Sequence, residues 1–223
     1  MKLIHCADLH LDSPMESNLS TQQARERKGE ILATFAKLVR IAEEGGVSAI
    51  LIAGDLFDSG FTSSKTVKYV ADMFAKITCP VVIAPGNHDP YRPDSPWVRE
   101  IWPENVRIFT QQAVQSVVLP DLDCRIYGAG YRSMDCGPLL EGFRAEGGET
   151  FHIGLFHGDP VTVQSPYCPV TAAQVQESAL SYLALGHIHK PQIIDAHIRY
   201  SGSPLQYSFG IEETQSKGVV LID

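Results

Sequence analysis

The sequence predicts an α/β fold of two mixed β-sheets packed face to face, with helices on the outside. Three observations predict it. Over roughly the first ninety residues, apolar runs of strand length alternate with segments of helical period. After about residue 105, short β-like segments separated by turn residues take over. Several of the apolar runs end in glycine followed by polar side chains, as strands do where they leave a sheet. With 223 residues and 44% hydrophobic content, the chain can bury one substantial core and reads as a single domain over 1–223.

The elements follow in order. Lys2 to Ala7 reads as a strand. Ser20-Thr21-Gln22-Gln23 can cap a helix whose apolar positions Ile31, Leu32, Phe35, Leu38, Val39 and Ala42 share one face, and Gly45-Gly46 stops it. Ser48 to Ala53 is a continuous apolar run suited to a buried central strand, ending in Gly54-Asp55. Val67, Val70, Ala71 and Phe74 keep helical spacing until Cys79-Pro80, and Val81 to Ala84 makes the third strand. Later strands are expected at Val106 to Thr110, Ser116 to Leu119, Arg125 to Gly128, Phe151 to Phe156, Tyr182 to Leu185, Ile198 to Ser201 and Gly218 to Ile222. Short helices are expected at Pro138 to Ala145 and Thr171 to Leu180. Because Asp223 directly follows a strand, a further C-terminal domain is also expected.

A formal charge of −8 and a pI near 5.4 argue against a broad basic face for nucleic acid. Bound metal ions would nevertheless add positive charge inside a cleft, where local charge outweighs the total. No apolar run approaches the roughly 18 residues that span a bilayer, and the polar opening is unlike a signal peptide. The expectation is a cytoplasmic protein without membrane association. The five cysteines, Cys6, Cys79, Cys124, Cys136 and Cys168, are odd in number and form no C-x-x-C pair, so they read as reduced thiols.

The chemistry lies where strands end. Asp8-Leu9-His10, Gly54-Asp55, Gly86-Asn87-His88-Asp89, His157-Gly158-Asp159 and Gly186-His187-Ile188-His189 each follow an apolar run. In an open α/β sheet, ligands gather outside the carboxyl ends of the strands, so five such termini can point into one place. In Asp8-x-His10 and His187-x-His189, the period of two along extended backbone would let both side chains face one ion together. The set is rich in carboxylate and imidazole and lacks thiolate, which favours Mn²⁺, Fe or Zn²⁺. Asp8, His10, Asp55, Asn87, His157, His187 and His189 are too many for one ion. They suit two, about 3.5 to 4 Å apart, with Asp55 on the central strand as the bridge.

D-x-H, G-D-x-x-D, G-N-H-D and G-H-x-H in this order resemble the calcineurin-like metallophosphoesterases, from Lys2 to about Ser203. The His5 to Asp12 and Gly54 to Asp58 blocks and Gly202-Ser203-Pro204 look most like the SbcD-type DNA-repair exonucleases of that superfamily. The resemblance implies a four-layer sandwich that hydrolyses phosphodiesters with two divalent ions, Mn²⁺ first. Asp8, His10, Asp55 and His189 would hold one ion, and Asp55, Asn87, His157 and His187 the other. His88 would serve the leaving oxygen, as suits an imidazole titrating near neutrality, with Asp89 orienting its ring. DNA would be the substrate, an ATPase on a separate chain a partner, and a homodimer is left open. Where some double-strand-break nucleases of the family carry a second histidine, this chain has Asp58.

Two other readings stand beside this one: hydrolysis of a small nucleotide or phosphoester, and a non-catalytic module that binds a partner. Arg92, Arg132, Lys190 and Arg199 are the cations expected to touch a substrate, whereas Arg25, Arg27 and Lys28 read as a solvated helix face. His5, His152 and His197 lie within or beside predicted strands and read as structural. No Walker-type phosphate loop or G-x-G-x-x-G turn is present.

Overall fold

A computed structural model describes residues 1–15, 19–160, 164–207 and 216–223. Four parallel strands, β1 (Leu3–Cys6), β2 (Ala49–Ile52), β3 (Val81–Ile83) and β4 (Val106–Ile108), form one sheet, with β11 (Val220–Ile222) antiparallel on β1. The second sheet has the order β5 (Gln115–Leu119), β6 (Cys124–Gly128), β7 (Phe151–His157), β8 (Tyr182–Gly186), β10 (Ile198–Tyr200) and β9 (Gln192–Ile193). Its inner strands β6, β7, β8 and β10 run parallel, and β5 and β9 are antiparallel edges. Both sheets are therefore mixed, as expected.

Period-two alternation along the strands sorts side chains into layers. Ile4, Cys6, Ile50 and Ile52 face the outer helices α1 (Thr21–Glu44) and α2 (Ser64–Phe74), where they meet Ile31, Phe35, Val70 and Phe74. Phe35 and Phe74 stack edge to face with centroids 5.4 Å apart. Leu3, Ala7, Leu51 and Ala53 face the other way and pack on Ile126, Ile153, Leu155 and Ala184 of the second sheet. That sheet's far side carries a third cluster containing Leu183, Leu185, Ile198, Tyr200 and Val175 of α4 (Ala172–Glu177). Helix α1 starts at the expected capping box: the Gln23 N–H donates to Ser20 Oγ, and the Ser20 N–H to Gln23 Oε1.

Two local expectations are corrected. No helix forms over 138–145, only a turn in which the Phe143 N–H donates to Leu140 O. Gly142 takes a left-handed φ of 66° in the middle of this stretch, and the Ala145 N–H goes to Ser178 O instead of a helical partner. Helix α4 stops at Glu177, short of the expected Leu180, because Ala179 takes a left-handed φ of 58°. A single turn, α3 (Pro96–Arg99), and the two-residue β9 have no periodicity long enough to announce them.

His5 ties the sheets together. Its Nε2 faces Leu185 O at 3.1 Å and its Nδ1 faces Tyr182 Oη at 3.0 Å. A neutral ring with the proton on Nε2 satisfies both: it donates to the carbonyl and accepts from the phenol. His152 (beside Tyr127 Oη) and His197 (beside Ser181 O) are likewise satisfied structural histidines.

This packing can be tested at two positions. A Cβ added at Gly186 would lie 1.9 Å from Ala53 O and 2.7 Å from Ala7 Cβ, so Gly186→Ala should cost on the order of 3 kcal/mol, read from the urea midpoint. Burial lowers the His5 pKa to about 4 from 6.5, so the unfolded chain binds this proton first as pH falls. The stability that neutral His5 contributes is complete above about pH 6.5 and declines toward pH 4, by up to on the order of 3 kcal/mol. Urea titrations should therefore show a flatter pH dependence over that window in His5→Gln; an unchanged slope would refute the assignment.

Candidate active site

All five predicted strand termini meet at the carboxyl ends of β1, β2, β3, β7 and β8. The loop after β1 is laced to the loop after β2: the Asp8 N–H donates to Gly54 O (3.1 Å), the His10 N–H to Asp55 O (2.9 Å) and the Leu11 N–H to Leu56 O (2.9 Å). Asp8, His10, Asp55 and His187 all take left-handed φ values, of 55°, 45°, 51° and 99°. Each such conformation costs on the order of 1–3 kcal/mol and persists only where the surroundings impose it. The extended geometry expected for Asp8-x-His10 is thus corrected: left-handed turns, not period two, aim the pair. Gly54 (φ 88°) completes the β2 turn, and a Cβ there would lie 2.4 Å from His157 Nδ1.

Ligand-type atoms converge in three groups: Asp8 with His10 and His189, Asp8 with Asp55 and His157, and, at the rim, His10 with Asp58 and His88. His10 Nε2 and His189 Nε2 are 3.1 Å apart. Asp55 Oδ2 stands between the first two groups, 3.2 Å from His157 Nε2 and 3.8 Å from His10 Nε2. Asn87 Oδ1 lies 2.9 Å from His157 Nε2, whose ring is fixed by Nδ1 facing Ala53 O at 2.9 Å. His187 and His189 do not face one point. His189 joins the His10 side, whereas the His187 ring packs against His157 (5.2 Å) and Tyr167 (4.5 Å) and contributes to none of the three groups. The His187 backbone N–H donates to the Asp8 carboxylate.

Electrostatics follow from burial and pairing. Burial raises the Asp8 pKa. For Asp55, burial pushes the same way but is outweighed by His157, with help from His10, so its carboxyl sits well below the usual range. Burial works against protonated His157 too, yet Asp55 prevails and raises it to about 9. Burial lowers His10 and His187 to about 4.

His88 stands at the rim. Its ring lies edge-on to His10 at 4.8 Å, and its backbone N–H donates to Asp55 Oδ1 at 2.9 Å. The carboxylate beside its Nδ1 is Asp58, at 3.4 Å, and this contact raises the His88 pKa. Asp89 does not orient the ring, which corrects its expected catalytic part. It is fully buried, and its oxygens accept from the backbone N–H groups of Gly86 (2.6 Å), Phe57 (3.1 Å) and Asp55 (3.2 Å). Asp89 is therefore a strut joining the loops after β2 and β3.

Among the described residues, none of the expected substrate-binding cations hydrogen-bonds a clustered side chain. Arg92 pairs with Asp94 at 3.5 Å, Arg132 donates to Thr110 O, Lys190 is half-buried directly after His189, and Arg199 sits within β10. Sequence reasoning missed the aromatic side chains that wall the cluster. Tyr207 lies 5.5 Å from His10 and 5.6 Å from His189, and Tyr131 is edge-on to His157 at 5.7 Å. Neither belongs to a motif, so only three-dimensional contact reveals them.

The profile of the family described as calcineurin-like phosphoesterase matches residues 1–191. The chain belongs to this family. It is 33% identical over 239 aligned residues to the uncharacterized metallophosphoesterase YhaO of Bacillus subtilis (strain 168), covering 100% of this chain and 57% of that one. The chain thus spans little more than half the length of this relative. TT1561 of Thermus thermophilus shares the fold, with a TM-score of 0.54 at 14% identity over 91% of this chain and 89% of that one. The family is one of metal-dependent phosphoesterases, and the donor set here fits divalent ions. Among the described residues, the ion-pair partners of Asp55 are imidazoles only, with no Lys or Arg counter-ion, and two imidazole nitrogens are turned toward each other. The Tyr131 hydroxyl, buried beside His157, has no hydrogen-bond partner among the described residues.

If these side chains hold the ions, divalent metal should raise the melting temperature of chelator-treated protein. Asp55→Asn should bind at least one equivalent less by elemental analysis and lose most of that thermal shift. Equal metal content in wild type and variant would remove Asp55 from the ligand set.

Proposed function

We propose that this phosphoesterase cleaves phosphodiester bonds of nucleic acid, as an SbcD-type nuclease domain in DNA repair, using two Mn²⁺ ions. In this reading Asp8, His10, Asp55 and His189 hold one ion, Asp55, Asn87, His157 and His187 the other. The observation that carries it is the setting of His88, which touches the buried cluster through His10 and Asp55 yet keeps 43% of its side chain exposed. A general acid at an open rim can meet the phosphate of a substrate too large to enter a cavity. Bound divalent ions supply Lewis-acid neutralisation of the phosphoryl oxygens. Water attacks phosphorus in line and releases a proton to solvent, the bond to the leaving ester oxygen breaks, and His88 gives that oxygen a proton and is reprotonated from solvent afterwards. Asp58 keeps the imidazole oriented and protonated for this step. A cytoplasmic setting, an ATPase partner on a separate chain, and a homodimer belong to the same proposal, as does a further domain like the part of YhaO that this chain does not cover.

A second reading is favoured by the net charge of −8 and by Asp58 at a position where some DNA-cutting relatives have histidine: the same site acting on a small nucleotide or phosphoester. Incubation with Mn²⁺, single- and double-stranded DNA and bis(p-nitrophenyl) phosphate separates the two. Nicking or digestion of DNA supports the nuclease, and turnover of the generic ester alone moves the assignment to the small substrate. In either case His88→Ala should lower kcat by about 10²- to 10⁴-fold with metal content retained; a His88→Ala enzyme of normal kcat would sink the general-acid role.

A further inference from the structure

Beside the site lies a groove that the hydrolytic step does not use. It has a volume of about 410 Å³ and is lined by Tyr91, Thr110, Gln111, Gln112 and Arg132. Three successive loops build it at the carboxyl ends of β3, β4 and β6, knitted by backbone bonds. The Tyr91 N–H donates to Tyr131 O (2.7 Å), the Tyr131 N–H to Pro85 O (3.0 Å) and the Gly130 N–H to Gln111 O (2.9 Å). Side chains add to this: Gln112 Oε1 accepts from the Arg132 N–H at 3.0 Å, and Arg132 Nη1 donates to Thr110 O at 3.1 Å. The Arg132 guanidinium is thereby parked over the Tyr91 ring, 5.7 Å from its centroid.

The groove is tied to the reacting centre at two points. Tyr91 is three residues beyond His88 on the same loop. Tyr131, whose backbone bonds both Tyr91 and Pro85, is edge-on to His157. A group linked to a phosphate beside His88 therefore has the groove as its neighbour.

The lining selects the ligand. A second phosphate would be drawn by clustered cations, but Arg132 is the lone cation here and Asp94 and Asp135 lie nearby in sequence. What the groove offers instead is a planar ring, a planar guanidinium and the Gln111 carboxamide, since that of Gln112 accepts from the Arg132 N–H and donates to Asp135 O. Of these, the Gln111 carboxamide makes no hydrogen bond among the described residues, and neither do the Arg132 side-chain nitrogens other than Nη1. Stacking planes combined with paired donors and acceptors match a flat heterocycle with polar edges, and the volume suits a nucleoside-sized group.

We propose that this groove is a nucleoside subsite: the Arg132 guanidinium, backed by the Tyr91 ring, stacks on the base next to the scissile phosphate while Gln111 meets its polar edge. The inference rests on the phosphodiester reading and deepens it by naming what the phosphate is esterified to.

The test compares esters with one leaving group: methyl p-nitrophenyl phosphate, which has nothing to place in the groove, and the 5′- and 3′-(p-nitrophenyl phosphate) esters of thymidine, all with Mn²⁺. Wild type should prefer at least one thymidine ester. Tyr91→Ala should lower that preference, as the ratio of kcat/KM values, about tenfold and mainly through KM, with Arg132→Ala acting in the same direction. Tyr91→Phe, which keeps the ring, should restore most of it. The subsite is overturned if the ratio is unchanged in both alanine variants, or if all esters lose rate in parallel. A thymidine ester preferred in the absence of DNA cleavage would keep the subsite and move the function to a small nucleotide. Should wild type turn over none of these esters, the phosphodiester reading itself fails. Calorimetric binding of thymidine 5′-monophosphate then decides the groove: about fivefold or more weakening in Tyr91→Ala sustains it, and equal or absent binding in wild type and variant rejects it.

Discussion

The site depends on how closely the two sheets approach at the carboxyl ends of their strands. Asp8 and Asp55 belong to one sheet, His157 and His187 to the other, and no single sheet could bring them within coordination distance. The approach is possible because the facing positions are small. Ala7 and Ala53 meet Gly186, and Gly54 meets the His157 ring, at separations where one extra carbon would collide. Elsewhere the interface is filled by leucine, isoleucine and cysteine, which hold the sheets at ordinary spacing. Small residues at this end thus let polar groups of both sheets meet in one cluster.

Such a cluster is costly by itself. Buried carboxylates, imidazoles turned on one another and four left-handed non-glycine residues all oppose folding. The surrounding scaffold offsets the cost. The loops after β1 and β2 are joined by four backbone hydrogen bonds, the fourth from the Asp58 N–H to Leu11 O, and Asp89 ties the loops after β2 and β3 through three amides. Because these bonds sit behind the ligand atoms, the cluster is pre-arranged by backbone instead of by flexible side chains. Buried Asp89 illustrates the distinction: it neighbours His88 in sequence but serves Asp55, whereas Asp58, thirty residues away, serves the histidine.

The parts of this arrangement that sequence can reveal are the ones with local periodicity or fixed spacing. The α1 face, the three buried parallel strands and their carboxyl-end motifs are all written in runs of a few residues, and the structure brings these motifs to one place. The backbone mechanism is not readable, because D-x-H and H-x-H look alike in extended and in left-handed chain. Nor does spacing show that His187 and His189 separate, since that depends on Asp8 capturing the His187 amide from another sheet. Asp89 is misplaced by sequence for a similar reason: its partners are backbone amides, which carry no residue identity. Tyr131 and Tyr207 reach the cluster only through tertiary contact, and short β9 and α3 fall below any detectable period.

The same division separates chemistry from selectivity. Of the groups with a claim on the metal ions, Asp8, His10, Asp55, Asn87 and His157 are buried and only His187 and His189 are half-buried, so changes there disturb both sheets at once. The side chains at the rim, His88, Tyr91, Gln111 and Arg132, are half-buried or exposed and lie on loops after β3, β4 and β6 whose lengths do not alter sheet packing. A family that keeps the inner cluster can therefore vary its substrates by changing these loops alone. It follows that family membership bears on the inner cluster, while the identity of the substrate has to be argued from the rim, where the exposed imidazole and the neighbouring groove stand side by side.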